Sequence, residues 1–186
     1  KSRPKAVQIS TELDKLGANY NAFTSNEYTG YYAKVDKIHF AEALDVVSDI
    51  YLNQIFAAEE IEKEKGVIIE ELNMYEDMPQ RRVVDKFTEL LYGDQPAGWD
   101  VGGRKEVIRV LQRDDFVNYR QDHYVASATT VVVAGAIGKR EALAKVRAAF
   151  ADISTGKKVG KPAVQEKQDS AQLLVVQKDS EQSHIA

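Results

Sequence analysis

Two short runs, Tyr20–Thr24 and Tyr28–Val35, are dense in aromatic and β-branched residues, and only Ser25, Asn26 and Glu27 separate them. Such residues fit a pleated, half-buried surface, and a short polar connection returns the second strand antiparallel to the first. The pairing is therefore local and is closed before any crossover helix. On its N-terminal side, Pro4 stands at the head of a helical pattern through Val7, Ile9, Leu13 and Leu16, which Gly17 ends. Beyond the hairpin, Phe40 to Leu52 returns to helical spacing through Ala43, Leu44, Val47 and Ile50.

Helices dominate the rest of the chain. A long one is expected from about Ala58 to about Tyr75, and Pro79 breaks it. Another helix runs through Val83, Val84, Phe87, Leu90 and Leu91, and the Gly93–Gly103 stretch, with Pro96 and Trp99, reads as a loop. Shorter helices fit Glu106–Leu111 and Asp114–Tyr124, where Asp114 suits a helix N-terminus. Ala128–Ala134, with Val131–Val133 at its centre, reads as a buried strand, and Arg140–Phe150 as a helix after Gly138. Residues 154–170 look like a polar linker, and Leu173–Gln177 like one more strand. Strands this clustered and helices this bunched do not alternate as βαβ units, so the fold class is α+β, a mixed or antiparallel sheet with helices on one face. No internal repeat is visible.

With 186 residues, 44% of them hydrophobic, the chain can bury a real core. A formal net charge of -4 gives no reason to expect nucleic acid or an anionic membrane as partner. Basic residues gather at Lys1, Arg3 and Lys5 and again at Lys157, Lys158 and Lys161; beside Pro and Gly, both groups read as solvated loops. The absence of cysteine removes disulfides, thiolate ligands and a thiol nucleophile, and fits a reducing compartment such as the cytoplasm, or the mitochondrial matrix in a eukaryotic host. No apolar run approaches the roughly 20 residues of a membrane span, and no signal peptide is evident. The chain starts on Lys1 and stops inside a strand-like run, so it is expected to be a fragment.

The segment from Glu59 to Leu72 carries the most chemistry. At about 100° per residue, a seven-residue step drifts only about 20°, so Glu64 and Glu71 lie nearly in line two turns apart. Val67 and Ile68 fall between them and Tyr75 extends the stripe, which places both acids on the apolar side of the helix. A carboxylate there needs a cation, a metal or a hydrogen-bond donor. The plainer alternative is a charged surface helix with pairs such as Glu59 and Lys63, and on pattern alone it is the stronger reading.

Histidine adds little by itself. His39, His123 and His184 show no metal-ligand spacing, and His39 and His123, each at a helix end, read as structural. There is no nucleophile elbow. Gly156, Gly160 and Lys161 miss the P-loop spacing, and Gly135–Gly138 lacks the dinucleotide fingerprint.

The run Gly17-Ala18-Asn19-Tyr20-Asn21-Ala22-Phe23-Thr24-Ser25-Asn26-Glu27-Tyr28-Thr29-Gly30-Tyr31-Tyr32 closely resembles the edge-strand motif of the pitrilysin–insulysin zinc peptidases, the family of mitochondrial processing peptidase and bacterial processing-protease-like proteins. Glu64–Leu72, followed by Met74-Tyr75-Glu76-Asp77-Met78-Pro79, resembles that family's third-ligand helix, and Val131–Phe150 is also similar. The resemblance spans nearly the whole chain.

It implies a processing-peptidase-like domain and a zinc-dependent endopeptidase acting on extended peptides. In such inverzincins an H-x-x-E-H motif supplies two His ligands and a Glu general base, and a distant Glu supplies the third ligand. Glu71 matches the distant ligand, and Glu64 matches a supporting carboxylate beside the site. Asn21, Ala22 and Phe23 match the edge strand on which substrates lie, by β-augmentation. The family's spacing puts the second His about six residues before Lys1, so the motif is expected outside these residues. Asp94-Gln95-Pro96 stands where His-Pro is common, and Ala136 where Asp or Asn is frequent. The expected partners are an extended peptide substrate and a second homologous domain or subunit, since family members enclose substrate between two halves. The alternative is a non-catalytic scaffold or partner subunit of a heteromeric peptidase of the same family.

Overall fold

In the computed structural model, residues 3–178 and 181–186 are described. The elements are α1 (Ala6–Lys15), β1 (Asn19–Thr24), β2 (Thr29–Lys34), α2 (Phe40–Leu52) and α3 (Ala58–Glu76). After these come α4 (Pro79–Tyr92), α5 (Lys105–Val110), α6 (Arg113–His123) and α7 (Lys139–Ala149). The fold is α+β, helix-rich with one antiparallel sheet of two strands. Two compact units make it up, one of Lys1–Ala57 with Arg113–Val159, the other of Ala58–Gln112 with Gly160–Ala186.

The first unit begins with α1, which buries Leu13 to 2% exposure. Gly17, at φ 61°, stops the helix in the left-handed region that glycine enters freely. Its N–H donates to Asp14 O at 2.9 Å and that of Ala18 to Leu13 O at 3.1 Å, the paired bonds of a Schellman cap. The chain then enters the hairpin, whose register runs from Asn19 opposite Lys34 to Thr24 opposite Thr29. Ser25 N–H donates to Tyr28 O at 2.9 Å and closes the connection. Because hydrogen-bonded pairs alternate along an antiparallel ladder, Asn19, Asn21 and Phe23 bond toward β2. Tyr20, Ala22 and Thr24 therefore turn their backbone groups to the outer edge of β1, as Thr29, Tyr31 and Ala33 do on β2.

Helix α2 supplies the floor beneath the sheet. It buries Ala43 and Val46, at 5% and 1% exposure. At its end the Tyr51 ring lies 6.2 Å from that of Tyr31, 4.9 Å from that of Tyr124 and 5.9 Å from that of Phe150, between centroids. The Tyr31 and Tyr124 hydroxyls are 3.1 Å apart, and the Tyr51 hydroxyl is 2.6 Å from Thr129 Oγ1. Burial, with Tyr31 beside it, pushes the Tyr124 hydroxyl well above its ordinary range, so it stays neutral.

Two expectations for this unit change. Arg3 is not part of a solvated loop: its guanidinium reaches Glu12 and Asp45 at 2.6 Å and Asp49 at 3.2 Å, tying α1 to α2. Fixed carboxylates within reach outweigh the gain from hydration. Residues 128–134 are not a buried strand either. No ladder forms there among the described residues, and Val132 is 80% exposed. β-propensity supplies the extended backbone but not the neighbouring strand that a ladder requires.

In the second unit, α3 and α4 are consecutive helices in contact with each other, with Pro79 at the start of α4, where its missing N–H costs nothing. Leu72 and Ile108 are buried at 9% and 6% exposure. A Cβ on Gly102 would come 2.8 Å from Leu72 Cδ2, so glycine lets the 93–104 loop close over that leucine. Leu173–Gln177, expected as a strand, forms no ladder among the described residues, and Leu173 is 87% exposed. Here too the apolar run lacks a strand to pair with.

Candidate functional site

Helix α3 is continuous from Ala58 to Glu76, so Glu64 and Glu71 stand in line as their spacing requires. They do not lie on the buried side. Burial follows Ile61, Lys65, Ile68, Leu72 and Tyr75, whereas Glu64 and Glu71 are exposed and Val67 is 59% exposed. The two acids flank the buried stripe by about a quarter turn. Lys65 hides this in the sequence: its stem is buried to 8% exposure while its ammonium reaches Glu62 at 2.6 Å. The pair at Glu59 and Lys63 forms at 3.0 Å, exposed to solvent.

Glu71 has a specific partner. The Tyr75 hydroxyl, one turn on, donates to its carboxylate, and Arg81 of α4 lies over the Tyr75 ring with its guanidinium carbon 3.3 Å from the centroid. The hydrogen bond to Glu71 raises the Tyr75 hydroxyl above its ordinary value, so it remains a donor. Sequence reasoning placed Tyr75 on the stripe but missed this bond and the role of Arg81. The i, i+4 spacing was the available signal for the first, and nothing in the sequence marks the second.

The described residues do not by themselves fit a zinc ion. Such a site needs about three protein donors, and no group of three His, Cys, Asp or Glu suited to a metal occurs among them. The histidines have other company. His39 Nδ1 is 3.3 Å from Glu42, the His123 ring stacks on Tyr119 at 4.2 Å, and His184 Nε2 is 3.0 Å from Gln182 Oε1. Glu71 fits as a single oxygen donor, exposed and oriented.

In the first unit, Asn21, Ala22 and Phe23 are exposed on β1. The Ala22 N–H, turned to the outer edge, donates to Asn21 Oδ1 at 2.8 Å. Phe23 lies across Gly30, its cross-strand partner, and meets Tyr28 edge-on at 5.8 Å. Such an edge can accept an extended peptide, whose own carbonyl would take over the Ala22 N–H.

The hairpin edge and the in-line acidic pair occur in an α+β chain that two family models match over residues 1–103 and 111–186. The family model described as Insulinase (Peptidase family M16) matches residues 1–103, and that described as Peptidase M16 inactive domain matches residues 111–186. The chain belongs to the M16, or insulinase, peptidase family. An uncharacterized zinc protease of Bacillus subtilis, YmxG, is 38% identical over 136 residues, covering 73% of this chain and 33% of its own. One from Mycobacterium bovis is 32% identical over 191 residues, covering all of this chain and 44% of its own. The first half of the periplasmic protease PqqL from Escherichia coli has the same fold, with a TM-score of 0.76 at 21% identity over 90% of this chain and 37% of that one. The chain thus spans between a third and a half of the length of these curated relatives. No helix among the described residues is long and apolar enough to cross a membrane.

Proposed function

We propose that the chain forms part of a zinc-dependent endopeptidase that cleaves extended peptides. The observation that carries this reading is Glu71, exposed on an unbroken helix and held by Tyr75, in a chain whose relatives are named zinc proteases. In this reading Glu71 is one metal ligand and Glu64 a supporting carboxylate, and the remaining ligands come from outside residues 1–186. When bound, zinc would polarise a water for attack on a peptide carbonyl. Asn21, Ala22 and Phe23 provide the edge on which substrate lies, and a second homologous domain or subunit completes the enclosure. A cytoplasmic location belongs to the same proposal, on the cysteine-free composition.

The test is Glu71→Gln in the full-length protein, which keeps the size and the Tyr75 contact but weakens the ligand. Bound zinc and peptidase activity should both fall by at least about 10-fold. Unchanged activity would instead favour a non-catalytic scaffold or partner subunit, a reading that the match of residues 111–186 to an inactive domain keeps in view.

A further inference from the structure

Residues 154–170 have the composition of a solvated linker, and all of them are exposed. From Gly160 onward they nevertheless belong to the compact unit of α3 and α4. The contact that holds them there is made by Gln95, in the Asp94-Gln95-Pro96 run that departs from the common His-Pro. Gln165 N–H donates to Gln95 Oε1 at 2.9 Å, and Gln95 Nε2–H donates back to Gln165 O at 3.1 Å. Two opposite residues of an antiparallel ladder exchange both bonds in the same way. Here a primary amide stands in for the second backbone, since it carries a donor and an acceptor side by side. An imidazole could not, because its two nitrogens lie on different edges of the ring.

The amide is aimed from α4. Its other Nε2 hydrogen goes to Tyr92 O, one of the last four carbonyls of the helix, which have no partner within it. Leu91 O, another of the four, accepts from Gln168 Nε2 at 3.3 Å. The same stretch of chain is tied down again at Lys178, whose ammonium reaches Asp77 at 2.8 Å and Glu76 O at 3.0 Å. Only the backbone of Gln165 takes part in the pair with Gln95, so the pair reads no side chain of the connector.

We infer that Gln95 is a docking site for extended backbone of any sequence, and that its occupant is residues 164–168 of this chain. The connector is thereby fixed at the end of α4 and is not a free tether for the chain beyond it. This holds whether or not the peptidase reading does, because no residue of the proposed metal or substrate site takes part.

Hydrogen exchange with mass spectrometry on the full-length protein tests it. Gln95→Ala and Gln95→His should each raise exchange across residues 163–168 by about 10-fold, as expected for the loss of two hydrogen bonds. Residues 154–159 should be unaffected. Gln165→Pro deletes the bonded N–H from the other side, without touching the 93–104 loop, and should have the same effect. Gln165→Ala keeps the backbone groups and should leave the protection intact. Combining Gln95→Ala with Gln165→Pro should raise exchange no further than either alone. Protection at 163–168 that survives Gln95→Ala would overturn the inference. So would exchange there as fast as at 154–159 in the unaltered protein. An effect of Gln165→Ala as large as that of Gln165→Pro would overturn it too, since a side chain and not the backbone would then be bound.

Discussion

The Tyr75 hydroxyl donates to the Glu71 carboxylate one helical turn before it, and Arg81 closes over the same tyrosine ring. An exposed glutamate would otherwise sample many rotamers, and ordering it costs entropy each time it binds a ligand. The hydrogen bond removes part of that freedom in advance, and the cation–π contact, about 0.5–1 kcal/mol at an exposed site, holds the donor. Tyr75→Phe keeps the ring under Arg81 and deletes only the hydroxyl. In the full-length protein, zinc affinity in chelator competition and peptidase turnover should both fall by about 10-fold, with the melting temperature nearly unchanged. If Glu71 takes no part in metal binding, neither will move.

Gly30 faces Phe23 across the hairpin, and a Cβ there would collide with Phe23 Cζ. Gly30→Ala should swing the exposed phenylalanine ring away and break its edge-on contact with Tyr28. That contact is worth about 0.5–1.5 kcal/mol, so a urea midpoint shift of that order is expected. In a Phe23→Ala background the same substitution should cost almost nothing, since no ring is left to displace.

Local signals made most of the fold legible. Gly17, the aromatic hairpin runs, Pro79 and the helical spacing of 40–52 each depend on neighbours in sequence, and all correspond to observed elements. What failed depends on distant partners. Val131–Val133 and Leu173–Gln177 have strand composition, but a ladder also needs a second backbone, which composition does not report. The acidic pair was legible as a line on a helix and not as a buried one, because Lys65 packs like an apolar residue under a charged label. Arg3 misled in the opposite sense: nothing local marks Asp45 and Asp49 as its partners.

In the loop at 93–104 the Asp94 carboxylate and the Trp99 indole form a pair whose titration fluorescence can follow. Asp94 accepts hydrogen bonds from Trp99 Nε1–H at 2.9 Å and from Arg104, and these hold its carboxyl below the usual range. A depressed folded value means the bonds stabilise the loop fully above the ordinary carboxylate range, near about 3.9, and lose that contribution as pH falls through the lower value. Trp99 is the only tryptophan, so its fluorescence should titrate with a midpoint below that of a free aspartate. Asp94→Asn should abolish the transition and leave the emission flat across the acid range.

Arg3 offers the sharpest test of how the first unit holds together. Its side chain is 11% exposed and Asp49 is 10% exposed, while Glu12 and Asp45 complete the pairing nearer solvent. Burial disfavours the Arg3 charge, but bonds to Asp45, Glu12 and Asp49 more than offset that and hold its pKa above the ordinary value. Removing the guanidinium leaves acids facing one another with Asp49 largely out of water, and breaking such a pair costs about 3–5 kcal/mol when fully buried. Two of the three acids are partly solvated, so Arg3→Met should cost about 2–3 kcal/mol by urea unfolding. Adding Asp49→Asn to that variant removes the least hydrated charge and should recover at least half of the loss. A double variant no more stable than Arg3→Met alone would show that packing of the Arg3 stem, and not its charge, joins α1 to α2.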